Sequence, residues 1–301
     1  MRFNPKARLD TSRMGDAGRG SGGGRSGGIP IPGGAAGGGI GTLVVVAIVV
    51  LASLWLGGGG DDSPAADTGR YESQCKSGED ANSSADCARV AIENSLYDYW
   101  SEALPAQSGT AFEAERKIET FTDGISTGCG SATADVGPFY CPTDRTIYLD
   151  TTFFDDVLEQ QLGGPDGGFV EAYVLAHEYG HHIQNLLGTM GQVKTQQGPK
   201  SDAVRLELQA DCYAGMWAKA ASATEDTDGV TIFAELTDED IQLAIEAATT
   251  VGDDRIQESS GGDVDPESWT HGSAKSRVAW FRTGYTEGTL EACDTFAAGA
   301  L

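Results

Sequence analysis

The chain is short of positive charge and of the residues that bind metals or form redox pairs. Its 301 residues include 20 basic against 45 acidic side chains, four histidines and six cysteines. No two cysteines stand at C-x-x-C spacing, which argues against structural zinc held by cysteine. Basic groups thin out along the chain. Residues 1–56 carry six basic and two acidic groups, a net +4, whereas residues 57–301 carry 14 basic and 43 acidic, a net −29. A body this acidic repels phosphate backbones and anionic head groups, so nucleic acid is not expected as a partner. Long hydrophobic runs are absent except for one, at residues 40–56.

That run is 17 residues without a charge, about 25 Å as a helix, and reads as one transmembrane helix. Trp55 sits near its end, where interfacial aromatics belong. Glycine is plentiful but local, with 14 of its 42 residues between positions 15 and 41. Residues 1–39, rich in glycine, serine and arginine, bury too little to offset their ordering entropy and read as a disordered cytosolic tail. Positive charge precedes the run, and Asp61 and Asp62 follow it. The positive-inside rule then predicts a single-pass cell-membrane protein with its N-terminus in the cytoplasm and its body extracytoplasmic. Residues 57–70 read as a linker and 71–301 as one domain with room for a sizeable core.

All six cysteines (Cys75, Cys87, Cys129, Cys141, Cys212, Cys293) follow the apolar run, as expected of disulfides in an exported domain. Cys75/Cys87 and Cys129/Cys141 share a 12-residue separation, which suggests two local loops and leaves Cys212 with Cys293. Hydrophobic periodicity predicts helices over 85–104, 111–121 and 169–187, the last ending at Gly188. Ser201 reads as the N-cap of a helix to about 221. Thr237 with Asp240 reads as a capping box for a helix to about 251. Residues 252–271 read as loop and 273–281 as helix. Residues 146–150 alternate as a strand, which could accept an extended peptide if exposed. The body is mostly helical with a small strand region, an α+β class.

Three of the four histidines fall within Ala176-His177-Glu178-Tyr179-Gly180-His181-His182. This contains H-E-x-x-H in mid-helix. Residues four apart share a helix face, so His177 and His181 can aim at one ion. Zinc takes about four ligands, with nitrogen at roughly 2.0–2.1 Å. Glu178, rotated around the helix, suits a base better than a ligand. The metzincin continuation fails, because Gln184 and Leu187 replace its glycine and histidine. Glu207-Leu208-Gln209-Ala210-Asp211 supplies the alternative, a carboxylate pair on the next helix. Glu207 is the candidate third ligand, and Asp211 the partner of a ligand histidine's other ring nitrogen. His182 points about 100° away from His181 and reads as a supporting or surface histidine. By spacing, His271 reads as structural. Folded back over a metal, it could donate to a developing oxyanion, and Arg277 could orient it or bind substrate.

The segments AHEYGHHIQ, ELQADCYAG and THGSAKSRVAWF, with FYCP through IYLD at 139–150, resemble the bacterial neutral zinc metallopeptidase family of membrane-anchored or exported proteases. The resemblance covers residues 71–300. It implies a zincin-like metalloprotease domain, a Zn2+ cofactor, a peptide or protein substrate, His177 and His181 as ligands, and Glu178 as the catalytic glutamate. The E-x-x-x-D pair resembles that of thermolysin-like gluzincins and supports Glu207 as third ligand. The resemblance also strengthens His271 and Arg277 as candidates. Two functions follow. One is a membrane-anchored zinc endopeptidase. The other is a non-catalytic binding or assembly protein that keeps zinc for stability, in which a fourth protein ligand would close the site.

Overall fold

The computed structural model describes residues 1–19, 69–133 and 136–301. Within them lie strands β1 (Arg2–Phe3) and β2 (Met14–Arg19), then helices α1 (Gly69–Gln74), α2 (Gly78–Ala81) and α3 (Ala85–Ser108). Strands β3 (Lys117–Thr122), β4 (Gly124–Thr127), β5 (Gly130–Thr133), β6 (Phe139–Cys141) and β7 (Thr146–Asp150) follow. A π-helical segment, Phe153–Glu159, leads to α4 (Gly168–Leu187) and α5 (Asp202–Ala220). The rest comprises β8 (Phe233–Glu235), α6 (Asp238–Thr250), α7 (Asp253–Ser259) and α8 (Ala274–Glu287). The class is α+β: a helical body packed beside a four-stranded sheet ordered β2-β3-β7-β6.

Local chemistry sets the helix ends near the site. Gly188, at φ 74°, closes α4 in the left-handed conformation that glycine adopts without strain. The Ser201 hydroxyl accepts from the Val204 amide and starts α5, and the Thr237–Asp240 capping box starts α6. Tertiary packing decides elsewhere. Residues 111–121, expected as helix, instead enter the central strand β3. Ile118 and Phe121 are buried there, and β3 runs parallel to both β2 and β7. Those partners are distant in sequence, so local periodicity could not reveal them. The expected loop 252–271 contains α7. The strand at 146–150 is not exposed: all five residues are buried, between β3 and the edge strand β6.

The three disulfides Cys75–Cys87, Cys129–Cys141 and Cys212–Cys293 are those expected from the cysteine spacing. One ties β6 to the β4–β5 hairpin, and another staples α5 to the chain beyond α8.

The disordered tail expected over 1–39 does not hold for residues 1–19. β1 pairs antiparallel with β8, and Phe3 is buried against Phe233, ring centres 5.1 Å apart. Met14 is fully buried in the main core. Arg13 forks onto the buried Glu93, with Nε 2.5 Å from Oε1 and Nη2 3.2 Å from Oε2, and its guanidinium lies over the Tyr97 ring. A composition rule misses this because the anchors are few, namely Phe3, Arg13 and Met14, and their partners lie beyond residue 90. Residues 20–39 and the expected transmembrane run 40–56 lie outside the described residues. Among the described residues no helix is long and apolar enough to cross a membrane.

These pairings constrain topology. A chain that crossed a bilayer once between residues 19 and 69 could not keep β1 on β8 and β2 on β3. An N-terminus in the cytoplasm with the body outside would place these strand partners on opposite sides of a bilayer. Cysteines introduced singly at exposed Lys6 and exposed Gln242 test this in intact cells that display the protein. A membrane-impermeant maleimide should label both variants or neither, and labelling of one alone would break the constraint.

Candidate metal centre

α4 places His177 and His181 one turn apart on one face. It crosses α5 at Gly180, where a Cβ would lie 3.1 Å from the Ala210 backbone. The close crossing brings Glu207 over the two imidazoles. His177 Nε2 lies 3.1 Å from Glu207 Oε2, and His181 Nε2 lies 3.5 Å from Oε1. All three residues are buried, with ligand atoms within 4.8 Å of one another.

The surrounding hydrogen bonds fix both tautomers. Arg277 donates from Nε to Asp211 Oδ2 at 2.9 Å and from Nη2 to Oδ1 at 3.0 Å, and Tyr173 donates its hydroxyl to Oδ1 at 2.5 Å. Burial disfavours charge on Asp211, but Arg277 and His177 outweigh it and hold its pKa near about 2. Asp211 is thus an acceptor, and His177 Nδ1 donates to it at 2.9 Å. The Gln184 amide nitrogen donates to Leu206 O at 2.7 Å and Gln209 Oε1 at 3.1 Å. That leaves Gln184 Oε1 to accept from His181 Nδ1 at 2.8 Å. Both Nε2 lone pairs therefore face the Glu207 carboxylate.

Three acceptors converge with no donor among them, an arrangement that needs a cation. Without a metal, protons serve instead. Burial opposes charge on His177, yet Asp211 and Glu207 push its pKa up to about 10. Burial likewise opposes charge on Glu207, but the two histidines draw its pKa well below the carboxylate range. Two imidazole nitrogens and one carboxylate, with no fourth protein donor in the group among the described residues, fit zinc with an open position.

Glu178 is buried beside this group, and its Oε2 accepts the Tyr140 backbone N–H at 2.8 Å. Burial raises its pKa against the opposing pull of His181 and His177. His182 is fully buried, not on the surface. Its nitrogens meet the Tyr140 hydroxyl and Glu113 O at 3.1 and 2.8 Å, away from the metal donors. Burial drops its pKa to about 4. His271 lines the same cavity as the three donors. Its Nδ1 lies 2.9 Å from Thr270 Oγ1 and 3.4 Å from Asp253 Oδ1.

Arg277 does not orient His271 by direct contact. Its fork is spent on Asp211, so it acts on His177 through that carboxylate. Its reach depends on the α5–α8 crossing, where a Cβ at Gly284 would lie 1.8 Å from Cys212 O and one at Gly215 would lie 2.0 Å from Phe281 O. Four contributors had no role assigned from the sequence: Tyr173 and Asp253 lie outside the quoted motifs, and Gln184 and Tyr140 lie within them. Tyr173 and Gln184 lie at i−4 from His177 and i+3 from His181, a same-face signal that was readable. Tyr140 and Asp253 arrive from other elements and carry no local signal.

Residues 3–296 match the family described as "Putative neutral zinc metallopeptidase". The chain belongs to that family. It is 48% identical over 231 residues to an uncharacterized protein of Mycobacterium tuberculosis, covering 76% of each chain. It is 38% identical over 205 residues to the uncharacterized protein YpfJ of Escherichia coli, covering 66% of this chain and 67% of that one. No solved structure matches it.

The Arg277–Asp211–His177 chain makes a direct prediction. Asp211→Asn should weaken zinc binding by about 10–100-fold in a chelator competition, as loss of a partner to a ligand histidine does. Unchanged affinity would show that Asp211 does not hold His177 in its ligand tautomer.

Proposed function

We propose that the protein is a zinc-dependent endopeptidase, with His177, His181 and Glu207 as metal ligands and Glu178 as general base. The observation that carries this is the buried convergence of three acceptors on one point with a second, separately held carboxylate beside them. Zinc bound there supplies Lewis acidity, polarising a carbonyl oxygen and lowering the pKa of water. Glu178, kept basic but aimed by the Tyr140 amide, takes a proton from the attacking water as its oxygen adds to the peptide carbonyl carbon. It returns that proton to the amide nitrogen as the C–N bond breaks. His271 donates to the developing oxyanion. Burial works against its charged form, but Asp253 and Glu207 raise its pKa and favour the donor state.

The reading of a structural zinc site draws no support from the remaining histidines. His182 is engaged elsewhere, and His271 stands outside the donor group. The cavity, about 170 Å³, is walled mainly by apolar side chains including Phe153, Leu162, Val174, Met190, Leu206 and Ile256. It suits a substrate with a bulky apolar residue beside the cleaved bond. Three disulfides favour an oxidising, extracytoplasmic compartment. Membrane attachment through residues 40–56 remains our proposal from the sequence; the pairing of β1 with β8 and of β2 with β3 favours residues 1–19 and the body on one face instead of the N-terminus inside and the body outside.

Two outcomes test this. Glu178→Gln should keep zinc and lose roughly 10²–10⁴-fold in peptide cleavage, and undiminished cleavage would remove Glu178 as the base. Cleavage profiling on a denatured protein should show cuts beside Leu, Phe, Ile or Met. Cuts clustered beside charged residues would contradict the apolar site.

A further inference from the structure

Among the described residues β6 is an edge strand of three residues, paired only with β7, and it borders the cleft. Such an edge is weakly fixed by its ladder alone, yet it supplies the Tyr140 N–H that aims Glu178. The Cys129–Cys141 disulfide anchors the strand at the next residue, and the Tyr140 side chain adds a second anchor. Its ring stands by α4, where Asn185 Nδ2 donates to the hydroxyl oxygen at 3.0 Å. The hydroxyl proton remains to be placed. His182 Nε2 donates to Glu113 O at 2.8 Å, because a carbonyl can only accept. His182 Nδ1 is therefore the acceptor, and it takes the Tyr140 hydroxyl proton at 3.1 Å. An unbroken series results: Glu113 carbonyl, His182 ring, Tyr140 hydroxyl, Tyr140 amide, Glu178 carboxylate. His182, Tyr140 and Glu178 are buried, and Glu113 at the outer end is exposed.

We infer that His182 is a positioning residue, which locks the Tyr140 hydroxyl and thereby sets the backbone amide that orients Glu178. This rests on the reading of Glu178 as general base for its catalytic consequence, but the pinning of Tyr140 is a property of the chain itself. The motif's third histidine thus acts on the base from one helical turn further along the face that Glu178 occupies, and its ring nitrogens are engaged by Tyr140 and Glu113.

Two substitutions divide the two ring nitrogens. His182→Asn places an oxygen near the Nδ1 position and keeps an acceptor for Tyr140. His182→Gln places its amide near Nε2 and keeps only the bond to Glu113. Tyr140→Phe removes the hydroxyl with little change of volume. In the full chain loaded with zinc, His182→Gln and Tyr140→Phe should each lower kcat by about tenfold, a change of roughly 1.4 kcal/mol in the barrier. KM and zinc content should stay unchanged, and the double variant should lose no more than either single one. His182→Asn should stay near the parent kcat.

Exchange of the Tyr140 amide, followed by NMR with and without zinc, gives a readout independent of turnover. It should quicken by at least about tenfold in His182→Gln and Tyr140→Phe, and not in His182→Asn. Equal protection in all variants overturns the inference, as does a kcat loss that only tracks zinc content. Absence of peptide cleavage by the parent chain would instead defeat the peptidase reading, and the exchange rates would still decide the role of His182.

Discussion

The centre is governed by acceptors that cannot be left alone together. His177, His181 and Glu207 are buried with lone pairs facing one another, and only positive charge makes that arrangement stable. Everything around them controls where protons sit. Asp211 accepts the Nδ1–H of His177 and Gln184 that of His181, so each Nε2 faces Glu207 and carries a proton only when no metal is bound. Arg277 and Tyr173 in turn keep Asp211 ionised and correctly turned. A buried carboxylate stripped of its guanidinium partner would cost on the order of 3–5 kcal/mol. The Arg277 link is therefore part of the site's stability as well as its geometry.

Backbone contacts explain how three helices come close enough for this. Gly180 lets α4 settle on α5, and Gly215 with Gly284 lets α8 settle on α5. At these crossings even a methyl group would meet backbone atoms. The Cys212–Cys293 disulfide closes a loop of 81 residues, contributing on the order of 4 kcal/mol in the chain-entropy view. It fastens α5 to the segment beyond α8, one residue after the Asp211 that Arg277 holds.

The chemistry was legible where it depends on periodicity. H-E-x-x-H and E-x-x-x-D each place two side chains on one helix face, so a one-dimensional spacing carries three-dimensional meaning. Cysteine spacing likewise revealed the disulfides, because equal short separations leave one remaining pair. Legibility failed where strands pair over long range. Residues 117–122 form a strand because Met14–Arg19 and Thr146–Asp150 flank them, and neither neighbour is visible locally. The same failure hid the ordering of residues 1–19, because the glycine-rich composition of the whole stretch 1–39 outweighed three well-placed anchors. Arg277 was noticed as a candidate but with the wrong partner, since only the α5–α8 crossing shows that it faces Asp211.

The central claim is that this arrangement of proton-free acceptors exists to hold one zinc ion and leaves one position open. X-ray absorption at the zinc edge, on the purified full chain with metal content measured in parallel, tests it most directly. The account predicts one zinc per chain, two histidine nitrogens at about 2.0–2.1 Å, a carboxylate oxygen and one exchangeable water. Failure to retain stoichiometric zinc, or a shell completed by a fourth protein donor, would contradict it.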